Sequence, residues 1–170
     1  MTLSLAEELS GHAISSDFNY TLTTFDATKF FPVKGYATLG LHALVGASTG
    51  AIPPNRLFTF SDQQLRGYSQ VFYGTNEALV QAELRIPVSK DRKFWIAAFV
   101  DDGGMFIRGA LPVYDAFGNL LLNPGKFQFY PDEGFGIRFD VPQLGLRTLR
   151  LDFAHGSQGF HTSFGIGQSF

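Results

Sequence analysis

The sequence predicts an all-β chain folded as an antiparallel up-and-down transmembrane β-barrel of about eight strands. Three observations carry that expectation. Apolar residues recur at every second position in one stretch after another, the intervening positions hold glycine, serine, threonine and charges of both signs, and short turns alternate with long connections. Stretches free of Gly and Pro show a period of two rather than 3.6, so no helix of useful length is expected.

The strands read in order from the N-terminus. Residues 2–10 alternate poorly and form the weakest of the eight. Residues 18–31 are rich in Thr and aromatics, but the phase slips between Leu22 and Phe25, which a β-bulge would explain. Leu39, Leu41, Ala43, Val45 and Ala47 then alternate with Thr38, Gly40, His42, Leu44 and Gly46. Ala78, Val80, Ala82, Leu84 and Ile86 oppose Leu79, Gln81, Glu83 and Arg85, while Phe94, Ile96, Ala98 and Val100 oppose Trp95, Ala97, Phe99 and Asp101. Phe135, Ile137, Phe139 and Val141 face away from Gly136, Arg138 and Asp140, and Leu149, Leu151 and Phe153 from Arg150, Asp152 and Ala154. The last run sets Phe160, Thr162, Phe164, Ile166, Gln168 and Phe170 against His161, Ser163, Gly165, Gly167 and Ser169. Turns are expected at residues 32–35, 89–92 and 143–146, with long connections at 49–76 and 104–131.

A soluble sandwich would hide bulky apolar faces and display long polar side chains. Here one face is aliphatic or Phe and the other is small or charged, as lipid outside and a tightly filled interior require. The expected interior set is Glu83, Arg85, Asp101, Arg138, Asp140, Arg150 and Asp152. These are four acids and three bases that can neutralise one another across strands, and pairing is needed to offset desolvation.

Composition narrows the function classes. One domain over residues 1–170 suffices for this length. A net charge of -2 gives no positive field for nucleic acid, and the absence of Cys excludes disulfides and thiolate chemistry. The chain holds 19 Phe and 6 Tyr, yet no window approaches the apolar length of a membrane helix, so its apolar residues are spread at alternate positions.

A family resemblance rests on specific residues. Leu65-Arg66-Gly67-Tyr68 resembles the (V/I/L)-R-G-(F/Y) motif in the sixth extracellular loop of Omp85 (surface antigen D15) barrels. Around it, in the family's order, stand ALVGASTG, Ala82-Glu83-Leu84-Arg85-Ile86-Pro87 and Phe99-Val100-Asp101-Asp102-Gly103. Gly136-Ile137-Arg138-Phe139, Leu149-Arg150-Leu151-Asp152-Phe153-Ala154 and Phe164-Gly165-Ile166-Gly167-Gln168-Ser169-Phe170 are similar to the family's last three strands. The resemblance spans nearly the whole chain and implies the last eight strands of a sixteen-stranded barrel, an outer-membrane location in a Gram-negative-type bacterium or derived organelle, and no POTRA domain within these residues. It also implies that the loop arginine, Arg66, folds back onto inward acids on the following strands, which by position are Glu83 and Asp101. Phe170 is similar to the C-terminal aromatic by which the assembly machinery recognises its clients; anchoring in an interfacial aromatic girdle is the other role open to it. Residues 1–8 lack the basic start and apolar run of a signal peptide, so a mature form, an excised barrel or an unusual family member is expected.

Chemistry of other kinds lacks its scaffold. His12, His42, His155 and His161 show no HxxxH or HxH spacing, and Asp101-Asp102 lacks the spaced oxygen ligands of a calcium loop. There is no Gly-x-Ser-x-Gly elbow, and the Gly-x-Gly pairs at 134–136 and 165–167 lie within strands rather than before a helix. The expectation is a non-enzyme with no metal, cofactor, nucleic acid or small-molecule substrate, in contact with outer-membrane lipid, other outer-membrane proteins or a second copy of itself. Three functions fit. One is Omp85-type insertion, assembly or translocation of outer-membrane proteins through a weak seam at Phe164, Gly165, Gly167 and Phe170. Another is a structural barrel subunit, either a closed eight-stranded barrel or half of a dimeric sixteen-stranded one, that anchors a larger complex and inserts nothing. The third, a soluble binding module, requires the aliphatic faces to form a core.

Overall fold

The computed structural model describes residues 1–11, 18–109, 113–114, 120–122, 125–141, 146–167 and 170. Its strands are β1 (Thr2–Ser10), β2 (Tyr20–Pro32), β3 (Thr38–Gly50), β4 (Phe58–Phe60), β5 (Phe72–Gly74), β6 (Asn76–Pro87), β7 (Phe94–Phe106), β8 (Val113–Tyr114), β9 (Leu120–Leu122), β10 (Gln128–Val141), β11 (Leu146–Gly156) and β12 (Gly159–Ile166). Eight of them form one sheet in the order β1-β2-β3-β6-β7-β10-β11-β12, every neighbour antiparallel. The short pairs β4-β5 and β8-β9 are hairpins within the two long connections. Among the described residues there is no α-helix, only 3-10 turns at Lys34–Tyr36 and Pro54–Arg56.

The alternation that defines each strand sorts its residues onto two faces. On β6, Glu77, Leu79, Gln81 and Glu83 are buried while Val80 and Ile86 are exposed; on β7, Ala97, Phe99 and Asp101 are buried while Ile96 and Val100 are exposed. Phe135, Ile137 and Phe139 on β10 and Phe160, Phe164 and Ile166 on β12 continue the exposed apolar face. The expected interior set lies on the opposite side. Glu83, Asp101, Arg138, Arg150 and Asp152 are buried there, and Arg85 and Asp140 are half-buried at its rim.

The expected closure is not seen. Among the described residues, β1 and β12 pair with one neighbour each and form the two edges of an open sheet.

Two local expectations are also corrected. Both ladders of β2 run without a register shift, so there is no bulge between Leu22 and Phe25. Leu22 lies on the buried inner side and Phe25 on the exposed one; the slip in the pattern arises because this part of the inner face also carries apolar residues, Tyr20 and Leu22. A register shift occurs instead between Phe139 and Val141, opposite β11. The final strand ends at Ile166, and Gly167 after it takes a φ of 97°, a conformation outside the strand region that suits glycine. The alternation at Phe170 is therefore not that of a strand, and Gln168 and Ser169 lie outside the described residues, as do His12 and residues 143–145 of the expected turn.

The core of the molecule is the inner face together with the connection between β3 and β6. Phe60, Leu65, Tyr68 and Phe72 from that connection cluster with Leu79 of β6 and Met105 of β7, all buried. A largely polar sheet face thus gains its apolar cover from a loop laid across it.

Candidate functional site

The connection is held by a run of contacts from one side of the sheet to the other. Arg56 pairs with Glu8 of β1, Gln81 Nε2 of β6 donates to the Gln64 carbonyl at 2.9 Å, and Arg150 of β11 donates to Gln63 Oε1. Tyr68 Oη donates to the Pro131 carbonyl at 3.0 Å and accepts from the Ser157 backbone N–H at 3.3 Å. A Gln64 side-chain oxygen caps the start of the turn by accepting from the Ser61 N–H at 3.0 Å, so the chain reaches Leu65 in a fixed direction.

Arg66 stands at the centre. Its Nε and Nη2 donate to Asp101 Oδ2 and Oδ1, each at 2.8 Å, in the two-pronged geometry that a guanidinium forms with a carboxylate. Nη1 donates to Glu83 Oε2. The guanidinium carbon lies 3.3 Å from the centroid of the Phe99 ring, so the cation is stacked on an aromatic face as well as ion-paired. Arg66, Glu83 and Asp101 are shut off from solvent.

The pairing extends along the inner face. Arg85 Nε donates to Glu83 Oε1 at 2.6 Å, and Arg138 Nη2 donates to Glu83 Oε2 at 2.9 Å while its Nη1 reaches Asp152. Gln81 Nε2 also donates to Asp101 Oδ1 at 3.1 Å, and Gln81 Oε1 lies 2.8 Å from His42 Nδ1. His42 Nε2 in turn lies 3.1 Å from Asp26 of β2. One network therefore runs from β2 to β11 and takes in the loop through the Arg66 side chain and the Gln64 carbonyl. It is a clamp: charges of both signs, desolvated together and joined to the loop through Arg66.

The remaining motif residues serve the same seating. Leu65 is buried in the apolar cluster, and Tyr68 meets Phe72 edge-on at 5.3 Å between centroids. At Gly67 a Cβ would stand 2.6 Å from Asp132 Cβ and 2.9 Å from the Gly156 nitrogen, so only glycine lets the loop backbone approach β10 and β11 this closely.

The four C-terminal residues do not share a site. Phe164 is exposed on the apolar face, whereas Gly165 points inward, where Arg150 lies across the space its side chain would fill. Gly167 donates its N–H to the Thr148 carbonyl at 2.7 Å. Phe170 stacks on His42 at 5.4 Å and on Phe30 at 6.1 Å, above Gly40, so it occupies the inner side rather than an outward aromatic girdle.

Sequence reasoning missed Gln63, Gln81 and Phe99. A signal for the last two was present, since each stands two residues before an inward acid and so shares its face. The Glu8–Arg56 pair joins distant segments through no local pattern.

No cluster of three or more His, Asp or Glu suited to a metal ion occurs among the described residues. No curated protein matches the chain. The Omp85 superfamily domain matches it over residues 1–170, the full span of the sheet and its clamped loop. The chain belongs to the Omp85 superfamily of outer-membrane proteins.

Proposed function

We propose that this protein spans the outer membrane as part of a β-barrel and assists the insertion or translocation of other outer-membrane proteins. Support for the membrane reading comes from the exposed apolar face of a sheet whose other face is polar, charge-paired and covered. The observation that carries the functional reading is the buried Arg66 clamp. It fixes the loop on the inner face of a sheet whose outermost strands, β1 and β12, each pair with one neighbour among the described residues. A sheet edge of this kind is a template on which a client strand can form by β-augmentation.

Reconstitution tests this. An unfolded outer-membrane barrel client should fold faster into vesicles that contain the protein than into empty ones, as read by heat-modifiable gel migration. Tethering β1 to β12 through introduced cysteines, in a chain with none of its own, should remove the gain. Equal rates with and without the protein would overturn the insertion role and leave the structural-subunit reading.

A further inference from the structure

Beside the clamp, the inner face carries a small polar cavity at the other end of the sheet from the Arg66 loop. Thr38 of β3, Arg85 of β6, Trp95 of β7, Arg138 and Asp140 of β10 and Thr148 of β11 line a space of about 130 Å³. Each stands within three positions of a strand end, on the side where the 88–93 turn joins β6 to β7. Four strand spacings, roughly 19 Å on a flat sheet, separate β3 from β11. The sheet therefore rolls round its inner face to bring Thr38 and Thr148 onto one cavity of this size.

Two guanidiniums on its wall have donors to spare. Arg85 makes one side-chain hydrogen bond among the described residues, from Nε to Glu83 at 2.6 Å, so neither of its Nη groups donates to the protein. Arg138 gives Nη1 to Asp152 and Nη2 to Glu83 and keeps an unpartnered Nε. The two side chains are 11% and 2% exposed, and buried donors of this kind call for an acceptor. Glu83 does not neutralise them both, because Arg66 shares it. Arg66 also has Asp101 and Arg138 also has Asp152, whereas Arg85 has no second acid.

Arg85 cannot easily turn away to find one. Its Nε is fixed on Glu83, and its guanidinium carbon lies 5.5 Å from the centroid of Phe30 and 5.8 Å from that of Phe170. It thus presents a held fork of N–H groups, the form that matches an oxyanion. Asp140 is the acid on the wall; it accepts from Thr148 at 2.7 Å and pairs with neither guanidinium. Two cations against one anion suit a single negative charge, and a phosphate dianion would set a second charge beside Asp140.

We infer that this cavity binds one carboxylate group, which accepts from the Nη edge of Arg85 with Arg138 as the second cation beside it. The group enters from the end of the sheet that carries the 88–93 turn. The inference rests on the inner face alone and is independent of the insertion role.

The test uses the folded protein in detergent micelles at neutral pH, with acetate replacing chloride at constant ionic strength. The urea midpoint, read by heat-modifiable migration, should rise and saturate as acetate binds the folded state. Arg85→Gln should weaken acetate binding about tenfold, through loss of a charge-assisted pair. Asp140→Asn, at the half-buried rim, gives a reading that does not depend on Arg85→Gln folding. It should bind acetate more tightly and gain protection from inorganic phosphate. Acetyl-Gly-Glu-Gly-amide separates the sources: tighter protection than acetate assigns the site to an acidic side chain of a polypeptide, and protection by acetate alone assigns it to a free carboxylate. No rise with either probe, a rise that never saturates, an equal rise in Arg85→Gln, or an unchanged response in Asp140→Asn would overturn the site.

Discussion

Arg66 is the residue on which the inner face depends, because two carboxylates that are shut off from solvent, Glu83 and Asp101, are neutralised in part by its guanidinium. Removing one partner of a buried pair leaves the other charge uncompensated, at a cost of about 3–5 kcal/mol. Arg66→Ala should therefore lower the urea midpoint of the folded, membrane-embedded protein markedly, as followed by heat-modifiable migration. Lysine keeps the charge but neither forks onto Asp101 nor stacks its plane on Phe99, so Arg66→Lys should fall between wild type and Arg66→Ala. An Arg66→Ala protein as resistant to urea as the wild type would show that the clamp contributes nothing. Glu83 gives a second reading, since Arg66, Arg85 and Arg138 all converge on it. Glu83→Gln should destabilise more than Asp140→Asn, whose carboxylate accepts from Thr148 at the half-buried rim, in the same urea titration.

At the scale of elements, the long connection between β3 and β6 is held by contacts rather than by regular structure. In the intact protein it should resist added protease, since Leu65, Arg66 and Tyr68 are buried. In Arg66→Ala, cleavage within residues 51–75 should appear while the strands stay protected, and mass spectrometry of the fragments would locate the cut. Protection equal to wild type would mean that Tyr68 and the apolar cluster seat the loop without the arginine. The strands themselves were legible because alternation is a local property: Ala78 to Ile86 and Phe94 to Val100 separate their faces within a few residues. β2 misled because Leu22 is apolar on the inward side, where burial comes from elsewhere in the chain. Phe170 misled because its alternate position continued a pattern that Gly167 ends by turning the backbone. The place of Arg66 came from resemblance to a loop motif, and nothing local to residues 65–68 points to Glu83 or Asp101. Their inward phase on β6 and β7 was visible, but the distances that join them to the loop are set by the whole sheet.

For the whole molecule, one face must meet lipid and the other must not. An exposed face with Val80, Val100, Phe135 and Ile137 side by side would make an isolated sheet prone to association, and a bilayer covers it without rearrangement. The most direct test of this account is a set of single cysteines along β6 and β7, spin-labelled in lipid vesicles, with accessibility to oxygen dissolved in the bilayer measured at each. The chain has no cysteine of its own to interfere. Labels at Val80, Ala82, Ala98 and Val100 should be accessible to oxygen, and labels at Leu79, Gln81, Ala97 and Phe99 should be shielded, giving a two-residue period in phase with the clamp. Uniform accessibility, or a period of the opposite phase, would contradict a lipid-facing sheet closed on its inner side by the Arg66 loop.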